Sequence, residues 1–328
     1  MNFKFFFVIF SLLLLSCSKE LIIHPDLPIP KPDGLILRNA RIEVTSFSVD
    51  EDRVNYSYPG SIFSIDSSGN KIKFKQRQDY TALPVRIGTS VYSLGLSSYE
   101  MIPSLQGLQG YVNLLQQQTK GIGYTSVLYS GWSAFIDHNF LLSLEEDNDD
   151  LRKLLTLLSR DQDKNTTMNT TKFFRQGTST FTVDMSLPRK TQLISVEESA
   201  TMDDNTYYVS SVDYGYKFIM VADGPEEGAA LGSALTRFFL EKKVSAEDAK
   251  ILDVSNLYIC LRTSASKEAI VEKASGTNQI IALFARLDKQ LKEISFSYPI
   301  GFRLRSLKDL SAFKYVYTNQ WYIRETKN

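Results

Sequence analysis

Residues Tyr207 to Lys243 constrain the fold of this 328-residue chain more than any other stretch. From Tyr207 to Val221 the chain is dense in aromatic and β-branched side chains, the composition of a strand inside a sheet. It then turns at Asp223-Gly224-Pro225. From Glu226 to Lys243, Leu231, Leu235, Phe238 and Phe239 fall at i, i+4, i+7 and i+8, which lays one apolar stripe along a helix. A long strand running into an amphipathic helix calls for a sheet with helices packed on it, the α+β class.

Basic and acidic side chains number 37 each, so the formal net charge is zero and no global field favours nucleic acid or an anionic membrane surface. The N-terminus reads as a targeting segment. Lys4 precedes an apolar run from Phe5 to Leu15 that only Ser11 interrupts, too short for the about 20 residues of a spanning helix. Leu14-Leu15-Ser16-Cys17 resembles a bacterial lipobox, which implies a signal peptide over 1–16 and acylation of the Cys17 thiol. Localisation follows as an expectation: secretion, then lipid anchoring to a bacterial outer membrane or cell surface. With Cys17 acylated, Cys260 has no partner for an intrachain disulfide, and its apolar surroundings in Leu257–Leu261 predict a buried, inert thiol.

Pro25, Pro28, Pro30 and Pro32 make residues 17–34 an extended tether. Beyond it, 35–63 reads as short strands with a turn at Tyr58-Pro59-Gly60. Ser104–Thr119 reads as a helix with Leu105, Leu108, Val112 and Leu115 on one face, and Tyr124–Ser130 as a strand. Ile136–Thr167 has two characters. Its first half alternates, with Phe140, Leu142 and Leu144 on one side, while Leu151, Leu154, Leu155 and Leu158 have helical spacing. The acidic run Glu145–Asp150 lies between them. Such a segment satisfies either an extended or a helical pattern; it also fits two ordinary core helices joined by a solvated loop. Lys172–Pro188 is a long strand, Ser245–Asp248 a loop, Leu257–Arg262 a strand and Ile280–Ile294 an amphipathic helix, followed by two terminal strands.

Several of these pieces share a resemblance. Tyr208-Val209-Ser210-Ser211-Val212-Asp213-Tyr214-Gly215 resembles the core-strand signature of the cholesterol-dependent (thiol-activated) cytolysins. Tyr58-Pro59-Gly60-Ser61, Phe181–Pro188, Tyr298-Pro299-Ile300 and Tyr322-Ile323-Arg324-Glu325-Thr326 resemble motifs of that family in the same order. The resemblance implies a cytolysin-like (MACPF) central twisted antiparallel sheet flanked by two helical bundles able to become membrane hairpins. It implies a scaffold over about 35–125 and 295–328, and a pore-forming sheet with its bundles over about 126–294. In full-length relatives the last motif leads into a cholesterol-binding domain, so the chain reads as a short, cytolysin-like lipoprotein without it.

The same resemblance assigns roles. Leu231, Leu235 and Phe239, with Phe140, Leu142 and Leu144, are the candidates for membrane insertion, and Tyr129 is a candidate oligomer contact. Two positions depart from the family pattern: Gly131 replaces an acidic contact residue, and Arg262-Thr263 replaces a Gly-Gly step. Arg237 would share a side with Leu235 in an extended strand, at a cost of roughly 2–4 kcal/mol near mid-bilayer. Catalysis has little material. The chain holds two histidines, His24 and His138, and no phosphate loop or dinucleotide fingerprint. No enzyme, cofactor or metal is expected. The expected partners are membrane lipid and either further copies of the chain or a full-length cytolysin-like protein. The alternative is a non-lytic surface lipoprotein using the same fold for adhesion or binding.

Overall fold

Strand pairing organises the molecule around one long element. The computed structural model describes residues 19–23, 35–49, 52–66, 72–89, 98–118, 128–136, 149–161, 172–186, 193–224, 228–241, 243–292 and 296–324. Its strands, in chain order, are β1 (Lys19–Ile23), β2 (Leu35–Val44), β3 (Phe47–Ser48), β4 (Ile62–Asp66), β5 (Lys73–Gln76), β6 (Val85–Thr89) and β7 (Tyr99–Met101). There follow β8 (Leu128–Ile136), β9 (Lys172–Met185), β10 (Thr206–Asp223), β11 (Asn256–Thr263), β12 (Ile270–Ser275), β13 (Gly301–Ser306) and β14 (Phe313–Arg324). The helices are α1 (Leu105–Gln118), α2 (Asp149–Asp161), α3 (Val196–Thr201), α4 (Gly228–Glu241), α5 (Ala246–Asp253) and α6 (Gly276–Lys292).

The β10 strand, predicted from its aromatic and β-branched run, pairs antiparallel with β9 from Ser211 to Ala222. On its other side it pairs with β13 up to Asp213 and with β11 from Tyr216 onward. Gly215 stands between the two partners with φ 128°, a conformation that L side chains rarely adopt. Beyond β9 lies β8, and beyond β11 lies β12, so this half of the sheet runs β8-β9-β10-β11-β12 with every pair antiparallel. A second sheet, β1-β14-β2, runs alongside as three strands.

Three buried clusters hold these layers. Under the β4 and β13 half of the sheet, Phe47 stacks on Phe313 and Phe63 on Phe302, and Phe74 meets Phe47 and Phe63 edge-on, at centroid distances of 5.1–6.2 Å. The face of α1 bearing Leu108, Val112 and Leu115 joins that cluster, together with Tyr111. Ser104 starts the helix by accepting a hydrogen bond from Gly107 N at 3.0 Å. The other two clusters lie on the opposite faces of the β10–β11 half, as alternation along a strand requires.

The structure moves several predicted boundaries. The strand expected over Tyr124–Ser130 continues to Ile136, because β9 offers it a continuous partner as far as Ile136↔Lys172; residues 124–127 lie outside the described residues. Ser245–Asp248, expected as a loop, is the N-cap and first turn of α5: the Ser245 hydroxyl accepts from Asp248 N at 3.0 Å. Strand β12 went unpredicted. Within the stretch read as a tether, Lys19–Ile23 pairs in parallel with Phe313–Tyr317 of β14, and residues 24–34 lie outside the described residues.

Candidate functional site

Two long connections leave one end of the sheet together. Ile136 pairs with Lys172, Phe173 with Ala222, and Asp223 with Asn256, so the ends of β8, β9, β10 and β11 lie level. Residues 137–171 join β8 to β9, and residues 224–255 join β10 to β11. Each connection therefore links two antiparallel neighbours. If such a connection becomes extended, it can lengthen both flanking strands into a hairpin with no chain crossing and no change of register. Each is long enough for two strands of the about 9–11 residues that a bilayer crossing takes. Among the described residues no helix is long and apolar enough to cross a membrane, so any crossing by them would use strands.

The helices of the two connections pack on opposite faces of the sheet. Leu154, Leu155 and Leu158 of α2 meet Ile219, Val221, Tyr258 and Cys260. Leu231, Leu235 and Phe238 of α4 meet Met220, Ala222, Leu257, Ile259 and Leu261, with Ile280, Leu283, Phe284 and Leu287 of α6 closing the layer. The Phe238 and Phe284 rings lie 5.4 Å apart. Burial of one such side chain is worth about 1.5–3 kcal/mol. Both helices are thus held by an apolar face that water would penalise on release and that lipid would accept.

Ion pairs add a second kind of hold. On α4, Arg237 donates to Asp248 of α5 through Nε at 3.1 Å and through a shorter Nη2 contact. This contact answers the concern raised by Arg237 for the helical state alone, since the guanidinium already has a carboxylate. The hydrogen bond from Arg237 holds the Asp248 carboxyl below its ordinary value, against the opposing effect of burial. A lowered folded-state pKa contributes stability above the ordinary carboxylate value of about 3.9 and loses it as pH falls through the folded value. Acidification below about pH 4 should therefore loosen α4 from α5. An acid titration of thermal midpoint will show a smaller drop for Asp248→Asn than for the unaltered chain; parallel curves would refute the assignment.

On the α2 face, Arg262 of β11 grips Asp150 with Nε at 2.8 Å and Nη2 at 2.5 Å. Asp150 is 2% and Arg262 4% exposed, which makes this a buried ion pair. Lys217, cross-strand from Arg262, donates to the Ser48 hydroxyl at 3.1 Å. Burial pushes its ammonium below the usual lysine range, with Asp150 opposing the shift. Burial also raises the Cys260 thiol to about 12. At pH 8 Cys260 should stay unlabelled by a thiol reagent in the folded protein and react on unfolding. Rapid labelling of the native chain would contradict that burial.

The structure places the predicted residues unevenly. Leu231 and Leu235 lie together in the α4 layer, fully buried. Phe239 belongs to α4, but its side chain is outside the described residues. Tyr129 is on β8, across from Ser179, on the outer side of the β8-β9 ladder. Cys17, Phe140, Leu142 and Leu144 lie outside the described residues. Sequence reading missed the two ion pairs. A signal existed for one of them: Arg262 directly follows the apolar run Leu257–Leu261 of a buried strand, where a charge needs a partner.

No protein-family model matches the sequence, and no curated protein matches it. Solved structures do match. Wild-type pneumolysin superposes with a TM-score of 0.65 at 16% identity, over 88% of this chain and 64% of that one. The human-specific toxin intermedilysin gives 0.66 at 14%, over 92% and 70%. This chain has the cytolysin fold. A non-hemolytic pneumolysin from Streptococcus pneumoniae strain ST306 shares it, with a TM-score of 0.67 at 15% identity over 88% and 65%. These neighbours are cholesterol-dependent cytolysins, and the chain spans less than two thirds of the length of the two pneumolysins. At such identities the likeness concerns the fold, and it supports the expected α+β sheet with helices on its faces.

Proposed function

We propose that the protein forms membrane pores by oligomerising through its sheet and extending residues 137–171 and 224–255 as β-hairpins. One observation carries this reading: both connections join antiparallel neighbours and leave the sheet at the same level. A single hairpin would leave unsatisfied backbone groups in lipid, so several copies must close a barrel. In this proposal Phe140, Leu142, Leu144, Leu231, Leu235 and Phe239 supply lipid-facing side chains, and Tyr129 on the β8 edge contacts a neighbouring copy. Acylation at Cys17 anchors the protein to a bacterial outer membrane or cell surface, and a full-length cytolysin-like partner supplies receptor recognition.

The experiment is dye release from cholesterol-containing liposomes, with imaging of rings, for the purified chain alone and mixed with such a partner. Release with rings supports the reading. No release under either condition, with α2 and α4 staying helical, refutes it. The second reading, a non-lytic surface lipoprotein acting as a binding module, is favoured by the ties that hold α2 and α4 in their helical places. Its signature is membrane or cell binding that persists without release.

A further inference from the structure

One guanidinium holds two separate elements, the first turn of α2 and the turn that leads into β12. Arg262 sits near the end of β11, where Thr263 pairs with Tyr216 and the chain turns toward β12. Its Nε and Nη2 grip Asp150 in the first turn of α2. Its Nη1 donates to the Lys267 carbonyl, in the turn between β11 and β12, at 3.1 Å. Asp150 belongs to the first connection, and β12 covers the open side of β11 along Asn256–Leu261. Ala269, just before β12, and Val271 within it pack against the same cluster as α2.

We infer that Arg262 couples the edge strand β12 to α2, so that displacing β12 loosens the hold on the first connection. The inference rests on the pore-forming reading for its purpose, but the coupling itself is a property of the folded monomer. Two physical features suit the pair to this task. Breaking a buried pair by removing one partner is strongly destabilising, because the other charge stays behind unpaired. Separating both partners into water restores their hydration, which an apolar contact of similar size does not gain. Lys217, cross-strand from Arg262, adds a second cation on the same face. Loss of Asp150 from that place therefore leaves two like charges adjacent, which favours further opening over re-docking by anything but a carboxylate.

Hydrogen exchange on the purified full chain tests the coupling without a membrane. Three proteins are compared: the unaltered chain, Arg262→Met, and Asp150→Leu/Arg262→Met. In Arg262→Met, amides of α2 and of β12 should both exchange at least about tenfold faster, while the β2–β14 ladder is unchanged. In the double variant the apolar pair should restore protection to α2 and leave β12 fast, because the bond from Arg262 to the Lys267 carbonyl is gone. Loosening of α2 alone in Arg262→Met, or of neither element, would overturn the coupling. So would a double variant that restores both. Should Arg262→Met fail to fold, the double variant removes both charges of the pair, keeps Lys217 on the Ser48 hydroxyl, and still separates the two elements. A chain that passes this test yet releases no dye would defeat the pore reading and leave the coupling standing.

Discussion

A disulfide joining α2 to β11 should abolish dye release and leave the protein folded and able to bind. Cys260 already provides half of it, since the thiol lies in one cluster with Leu154, Leu155 and Leu158. A single cysteine at Leu155 or Leu158 supplies the other half. Because burial pushes the Cys260 thiol up to about 12, the native thiol is a poor nucleophile, and the bond must form during oxidative refolding. The expected effect is large because α2 lies inside the first connection: held to β11, residues 137–171 cannot extend β8 and β9. Release should fall by about 100-fold or more and return on reduction of the cross-link. Ring formation should persist, because β8 and its pairing are untouched. Full release by the oxidised protein would show that the first connection never needs to unfold. Loss of binding as well as release, unrecovered by reduction, would point to damage from the substitution, and the same cysteine with Cys260→Ala separates the two.

The sheet was legible because its evidence is local. Tyr207–Val221 carries the aromatic and β-branched density that a buried strand needs, and β10 runs through all of it. The stripe Leu231, Leu235 and Phe238 likewise marked the buried face of α4. Strand β12 escaped for the opposite reason. Ile270-Val271-Glu272-Lys273-Ala274-Ser275 is short and mixed, and its place comes from the partner that β11 offers. The Asp150–Arg262 pair escaped because its partners lie 112 residues apart: Asp150 read as the end of a solvated acidic run, and only the packing of α2 brings it to Arg262. Arg262 stood out in sequence as a departure from the family's glycines, yet what it replaces them with, a grip on two elements, needed three dimensions. The hairpin geometry fell between these cases. Two-sided patterning hinted at conversion in Ile136–Thr167, but the level ends of four antiparallel strands are a property of register, which no single segment encodes.

Substituting Gly215 by valine should cost about 2–4 kcal/mol of stability, from backbone strain and lost hydrogen bonds together. Gly215 closes the sequence signature that runs from Tyr208, and its reason lies in the change of partner along β10. Before it, Asp213 pairs with Gly301 of β13; after it, Tyr216 pairs with Thr263 of β11. Two different strands must meet the same side of β10 there, and φ of 128° lets the backbone pass from one to the other. Ser264 fixes the handover from both sides: its hydroxyl accepts from Gly215 N at 2.8 Å, and its own N–H donates to Gly215 O at 2.9 Å. A β-branched residue resists this φ and would push the strand toward ordinary extended geometry, breaking the reciprocal pair with Ser264. Gly215→Ala should show a smaller loss of the same sign. The urea midpoint should fall for both, valine further, with exchange rising first at Ser264 and along the neighbouring end of β11. A valine variant as stable as the unaltered chain would mean that the sheet can change partners without this backbone, and the path from β13 to β11 would need another explanation. If the loss appears, the glycine that ends the signature is explained by where β10 exchanges its scaffold partner β13 for β11, the strand to which the second connection returns.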